Sequence, residues 1–295
     1  MKRITALFTV TLSLLLISTS ISFAQTPPQY QQPAQTPGVT LFNVAGEIYE
    51  LRGGRGANGG AYIGANGVVI IDAKQDEASV QQVIAEVRKL TNNPIVYVVS
   101  THADGDHVFG NRFFPQSVTF VSHENCRKEF FVPNMRGDAS DWNDPALAPF
   151  LPEITFRDRM DIYVGAKKIE LWYFGVGHTT GDIVVYFPEE KVAFIGDQIF
   201  VGRTQLIHAY KGGNSFEHVA TLTRMLETLD AQQFCSGHSD IVNRQQVQDH
   251  IKEMQAMQAR VRSLMQKNMT REAIQQEFEE GEATLVGVIY DELQD

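Results

Sequence analysis

The chain is poor in cysteine, poor in positive charge and free of internal repeats, and each shortage closes off a class of protein. Two cysteines in 295 residues, Cys126 and Cys235, cannot build a disulfide framework. Nothing else in the sequence points to their pairing, and both read as small buried hydrophobes. Basic residues number 25 against 35 acidic ones, a net charge of -10, so nucleic acid and anionic membranes are poor partners. No self-similarity marks a solenoid at a period of about 20 to 50 residues. What remains is 43% hydrophobic, a globular composition long enough for one large domain or two small ones. Disordered and collagen-like chains are excluded.

The first residues read as a targeting segment. Lys2 and Arg3 precede an apolar run from Leu7 to Ile21, and Ser22 and Ala24 are the small residues expected before a cleavage point. Residues 1–24 are therefore expected to be a signal peptide, and the mature protein to be periplasmic or secreted, with no membrane attachment after cleavage. Without Lys2 and Arg3 the 25 basic residues fall to 23 against 35 acidic, a net charge of -12. An oxidising compartment permits a bond between the two cysteines without requiring one. The Pro- and Gln-rich residues 25–38 read as an extended linker, and residues 39–295 as the domain, including C-terminal helices.

Hydrophobic periodicity sets out that domain. "VTLFNVAGEIYEL" alternates like a half-buried strand, and two short strands flank the turn signal Ala65-Asn66-Gly67. Val80, Val83, Ile84 and Val87 have helical spacing over Glu77 to Leu90, and the strand "PIVYVVS" follows. Strand, helix, strand without a long gap is βαβ grammar. Later come a short strand "VTFVS", a helix "ENCRKEFF", two strand pairs between Arg159 and Phe200, and an amphipathic helix from Ser215. Helices are expected over about Val242 to Lys267 and Arg271 to Glu279, where Met254, Met257, Val261, Leu264 and Met265 form a core stripe.

Polar motifs recur just after strand ends. "VVSTHADGDHVFGN" packs His102, Asp104, Asp106 and His107 into six positions behind an apolar run. Ionisable side chains at that density need a compensating partner. "GVGHTTGD" adds His178, "AFIGDQIF" adds Asp197, and "FCSGHSD" adds His238, each beside glycine or another small residue. Imidazole nitrogen and carboxylate oxygen are the ligands of divalent zinc, iron and manganese, so the expected partner is metal.

With "THADGDH" set against Thr-His-x-His-x-Asp-His, and with "GHTTGD", Gly196-Asp197, Gly237-His238 and "VVIIDAK", the sequence resembles the metallo-β-lactamase-fold superfamily of metallohydrolases, in an exported subgroup. The resemblance covers roughly residues 39–250. It implies an α/β fold, an αββα sandwich of two mixed β-sheets flanked by helices, with metals at one edge. It also implies two metal sites, His102, residue 104 and His178 in the first and Asp106, His107 and His238 in the second, with Asp197 bridging and Asp72 supporting from beneath. Position 104 departs from the pattern: Asp104 stands where histidine is usual. A carboxylate is harder and anionic, so two divalent ions, zinc first, are expected, with iron or manganese open at the first site and a less acidified water there.

The implied chemistry is hydrolysis of an ester, thioester, lactone or β-lactam of a small-molecule substrate. A metal-bound hydroxide would attack the carbonyl, and Asp106 would relay its proton. Two alternatives stay open. One is a di-iron oxidoreductase on the same fold, since flavodiiron proteins carry a carboxylate at the matching place, though the tail after His238 is too short for their flavodoxin domain. The other is a catalytically silent metal-binding protein. Substrate contacts are expected from Trp142, on a lid-like segment over residues 132–152, and from His208, Tyr210 and Lys211 beyond Asp197.

Overall fold

The computed structural model describes residues 37–294, so the expected signal peptide and all but the end of the linker lie outside the described residues. The first half opens as an antiparallel meander of β1 (Thr40–Ala45), β2 (Ile48–Arg52), β3 (Gly59–Gly64) and β4 (Gly67–Ile71). The strand expected over "VTLFNVAGEIYEL" is two strands, because Gly46 takes φ +51° and turns the chain between β1 and β2. The hairpin at Ala65 forms as expected, with Gly64 paired to Gly67.

Helix α1 (Glu77–Leu90) starts where Asp76 accepts the Ser79 N–H at 2.9 Å and carries the chain back to β5 (Ile95–Val99), parallel to β4. After the short α2 (Gly105–Val108), β6 (Thr119–His123) and β7 (Ile154–Phe156) extend the parallel part, with α3 (Glu124–Glu129) between them. The result is a seven-stranded mixed sheet in the order β1 to β7.

The second half repeats the plan. β8 (Arg159–Val164), β9 (Lys167–Trp172), β10 (Val184–Phe187) and β11 (Val192–Gly196) run antiparallel. Helix α4 (Ser215–Thr228) then delivers β12 (Gln233–Ser236) parallel to β11, and β13 (Val242–Asn243) closes a six-stranded sheet. Three helices complete the chain: α5 (Arg244–Met265), α6 (Arg271–Gln275) and α7 (Ala283–Glu292).

Period-two alternation sorts the core into layers. In β4, Val69 and Ile71 face the space between the sheets, where they meet Val185, Phe187, Val192 and Phe194. Their neighbours Val68 and Ile70 face Val80, Val83 and Val87 of α1. In the second sheet Val184, Tyr186, Ala193 and Ile195 face α4, α5 and α7 through Leu222, Met225, Met254, Val261, Leu285 and Ile289. Helix, sheet, sheet, helix is the αββα sandwich expected from the sequence, and the methionine stripe of α5 packs in its core. Cys126 lies beneath the segment around Trp142 and Cys235 between the sheets, both buried and free. Among the described residues no helix is long and apolar enough to cross a membrane.

Candidate metal centre

Two neighbouring parallel strands, β4 and β5, build the floor of the site at their ends. Asp72, just past β4, adopts φ +59°, a left-handed conformation uncommon for a residue with a side chain. Its Oδ1 accepts the Thr101 N–H at 2.8 Å, and its Oδ2 takes the Thr101 hydroxyl and lies 2.8 Å from His107 Nδ1. This clamp orients the His107 ring so that Nε2 faces the cluster. Thr101, which the sequence did not single out, also lies 3.1 Å from His102 Nδ1 through its hydroxyl. Beside it, Lys74 donates to the carbonyls of Leu51 and Ala57 at 3.0 and 2.6 Å, and burial pulls its pKa down to about 8.

The seven residues expected as ligands gather at this edge in two groups. His102, Asp104, His178 and Asp197 offer donor atoms that all lie within 4.8 Å of one another, and so do Asp106, His107 and His238. Asp197 faces both groups, with Oδ1 3.2 Å from His107 Nε2 and Oδ2 3.3 Å from His238 Nε2 and 3.9 Å from the Nε2 atoms of His102 and His178. Asp106 Oδ2 lies 2.9 Å from His238 Nε2, and the His178 ring is steadied by Nδ1, 2.9 Å from the Leu206 carbonyl oxygen.

Three of these atoms are buried without a well-formed hydrogen bond: His102 Nε2, and His107 Nε2 and Asp197 Oδ1, which face each other at 3.2 Å. A buried polar atom left unsatisfied costs about 1–3 kcal/mol, so three in one spot point to a missing partner. The donor set, imidazole and carboxylate with no thiolate, fits a divalent ion of the zinc, iron or manganese kind. Electrostatics agree. Burial pushes the carboxyls of Asp104 and Asp197 up, but the surrounding imidazoles win and hold both well below the usual carboxylate range. Backbone approach is close too, since a Cβ on Gly237 would overlap Asp197 Oδ1 and stand 2.7 Å from His107 Cε1.

A cleft of about 280 Å³ opens beside the two groups, lined among others by Asp104, Asp106, Phe130, Trp142, His208 and Tyr210. The four residues expected to contact substrate all border it, though in different ways. Tyr210 is exposed, whereas Trp142 is buried at 3% exposure and forms part of a wall. His208 sets its ring 4.2 Å from that of His178 at a tilt of 45°, and Lys211 is buried against Asp104. Phe200, unremarked in the sequence, covers the other flank with its ring 5.6 Å from that of His238. A larger cleft of about 760 Å³ lies between residues 199–205 and the C-terminal helices, and among the described residues no comparable ligand group faces it.

Comparison with known proteins agrees with the fold. The family model described as the Metallo-beta-lactamase superfamily matches residues 52–238. The chain is similar to 2,4-dinitroanisole O-demethylase subunit alpha of Nocardioides sp. (strain JS1661), 26% identical over 57% of this chain and 48% of that protein. It is also similar to the type 2 metallo-beta-lactamase of Elizabethkingia meningoseptica, 24% identical over 54% of this chain and 61% of that one. The matches thus span about half to three-fifths of these relatives' own length. Among solved structures, DIM-1 metallo-beta-lactamase superposes with a TM-score of 0.60 at 18% identity, over 75% of this chain and 98% of that chain. A metallo-beta-lactamase from Pontibacter korlensis superposes with a TM-score of 0.61 at 15% identity, over 74% and 99%.

Proposed function

The chain belongs to the metallo-β-lactamase superfamily, and on that footing we propose that it is an exported, metal-dependent hydrolase of a small carbonyl substrate: an ester, thioester, lactone or β-lactam. The observation that carries this reading is the convergence of His102 Nε2, His107 Nε2 and Asp197 Oδ1, buried without well-formed hydrogen bonds, beside a cleft that also exposes Asp106. His102, Asp104 and His178 would hold one ion, Asp106, His107 and His238 the other, with Asp197 between them. Such ions, zinc first, would supply Lewis acidity and lower the pKa of a bound water toward neutrality. Asp106, the most open carboxylate of the set, accepts a proton from the attacking water and returns it to the leaving group. Trp142 and Phe130 keep bulk water from one side of the cleft, while His208 and Tyr210 border the space a substrate would fill.

One observation favours a second reading. The Asp104 carboxylate suits iron or manganese, and with iron the same fold can support oxidoreductase chemistry. Both readings meet one experiment on protein collected from the periplasm or medium, where a mass beginning at Gln25 supports export and an uncleaved mass counts against it. The panel is a chromogenic cephalosporin, a p-nitrophenyl ester, an acyl thioester, a lactone and, because of the Nocardioides relative, 2,4-dinitroanisole. Turnover of at least one carbonyl substrate, lost on chelation and restored by zinc, is expected. Oxygen consumption with iron bound would move the assignment to the oxidoreductase. Full metal loading without any turnover would leave a silent metal-binding protein.

A further inference from the structure

Aspartate at position 104 adds a negative charge to a buried cluster, and the structure sets a positive charge against it. Lys211, 5% exposed in its side chain, places Nζ 2.6 Å from Asp104 Oδ1 and 2.9 Å from the carbonyl oxygen of Ala103. The other carboxylate oxygen, Oδ2, faces imidazole nitrogens of His178, His208 and His102 at 2.9, 3.0 and 3.4 Å. The two oxygens therefore have separate tasks: one is held by the ammonium and the other is turned to the cluster. The turn that carries Lys211 is fixed as well. The His208 N–H donates to the His178 carbonyl at 2.8 Å, the Lys211 N–H to the His208 carbonyl at 2.8 Å, and Gly212 closes the turn at φ +73°.

A buried ammonium is costly unless an anion faces it. The other buried lysine among the described residues, Lys74, binds two carbonyl oxygens, whereas Lys211 meets a carboxylate that the expected motif lacks. We propose that Asp104 and Lys211 act together as the replacement for the absent histidine, one carboxylate oxygen serving as ligand while the ammonium cancels its charge. This inference rests on the metal-binding reading above. Lys211 is then a positioning and charge-balancing residue, and the first site keeps the net charge of a three-histidine site, in place of the more negative cluster expected from the sequence. It follows that histidine cannot simply be restored, because Asp104→His would leave a buried ammonium facing an incoming dication.

A double-mutant cycle tests this with wild type, Asp104→His, Lys211→Met and the double variant, read by zinc affinity against a chromogenic chelator and by the visible spectrum of the cobalt-substituted proteins. Asp104→His alone is expected to weaken binding about 10- to 100-fold and to perturb the cobalt spectrum, and adding Lys211→Met to recover most of the loss. Should Asp104→His fail to fold, refolding of the double variant counts as the same recovery, and its failure to fold counts against the proposal. An additive cycle, or an Asp104→His protein that binds zinc normally with Lys211 in place, overturns the pairing while the metal reading stands. A wild-type protein that takes up no zinc, cobalt, iron or manganese overturns both.

Discussion

Asp106→Asn is expected to lower kcat/KM by about 10²- to 10⁴-fold on whichever substrate the protein turns over, the range that a lost general acid–base group produces. Asp106 sits in the first turn of α2, its Oδ2 2.9 Å from His238 Nε2 and 4.0 Å from His107 Nε2, with 30% of its side chain open to the cleft. Asparagine keeps the shape and one ligating oxygen but cannot take up and return a proton. Because Asp106 also belongs to the second ligand group, kinetics are read on protein whose metal content has been measured. A fall confined to kcat with two ions still bound is the predicted signature. A fully loaded variant with wild-type turnover would remove Asp106 from the proton pathway.

Trp142→Ala is expected to destabilise the protein by about 3–5 kcal/mol, as loss of a buried tryptophan commonly does. The indole is 3% exposed, its ring 4.9 Å from Phe130 and 6.5 Å from Phe109, with the Arg112 guanidinium 5.3 Å away. Ser140 starts its turn by accepting the Trp142 N–H at 3.2 Å and donating to the Phe130 carbonyl at 2.5 Å. This cluster is what anchors residues 132–152 against α2 and α3 as the cleft wall. Urea unfolding measures the loss, and KM is expected to rise as the wall loosens, with Trp142→Phe recovering part of both. A shift under about 1 kcal/mol with unchanged KM would mean that the segment is held elsewhere.

Much of the site was legible because its residues follow strands directly. His102, Asp104, Asp106 and His107 come within eight positions of Val99, the last residue of β5, and Asp197 comes one residue after β11, so strand periodicity located the motifs and the mix of imidazole with carboxylate pointed to a metal-binding cluster. Local patterns also placed α1 and the Ala65 hairpin. What escaped depends on contacts between distant parts of the chain. Lys211 reaches Asp104 across 107 positions, and its partner leaves no periodic trace in the sequence. Phe200 is one aromatic among 18 phenylalanines until the fold brings it to His238. The helix α7 was missed because its window is apolar nearly all round, with Leu285, Val286 and Ile289 buried, and so lacks an amphipathic stripe.

On the proposed reading, the two groups of side chains at one edge of the sandwich hold metal. Elemental mass spectrometry on untagged mature protein, purified without added metal or chelator, tests it most directly. Close to two divalent ions per chain are expected, falling on substitution of Asp197, whose two oxygens face both groups. Protein that carries no metal, and takes up none when zinc, iron or manganese is offered, would contradict it.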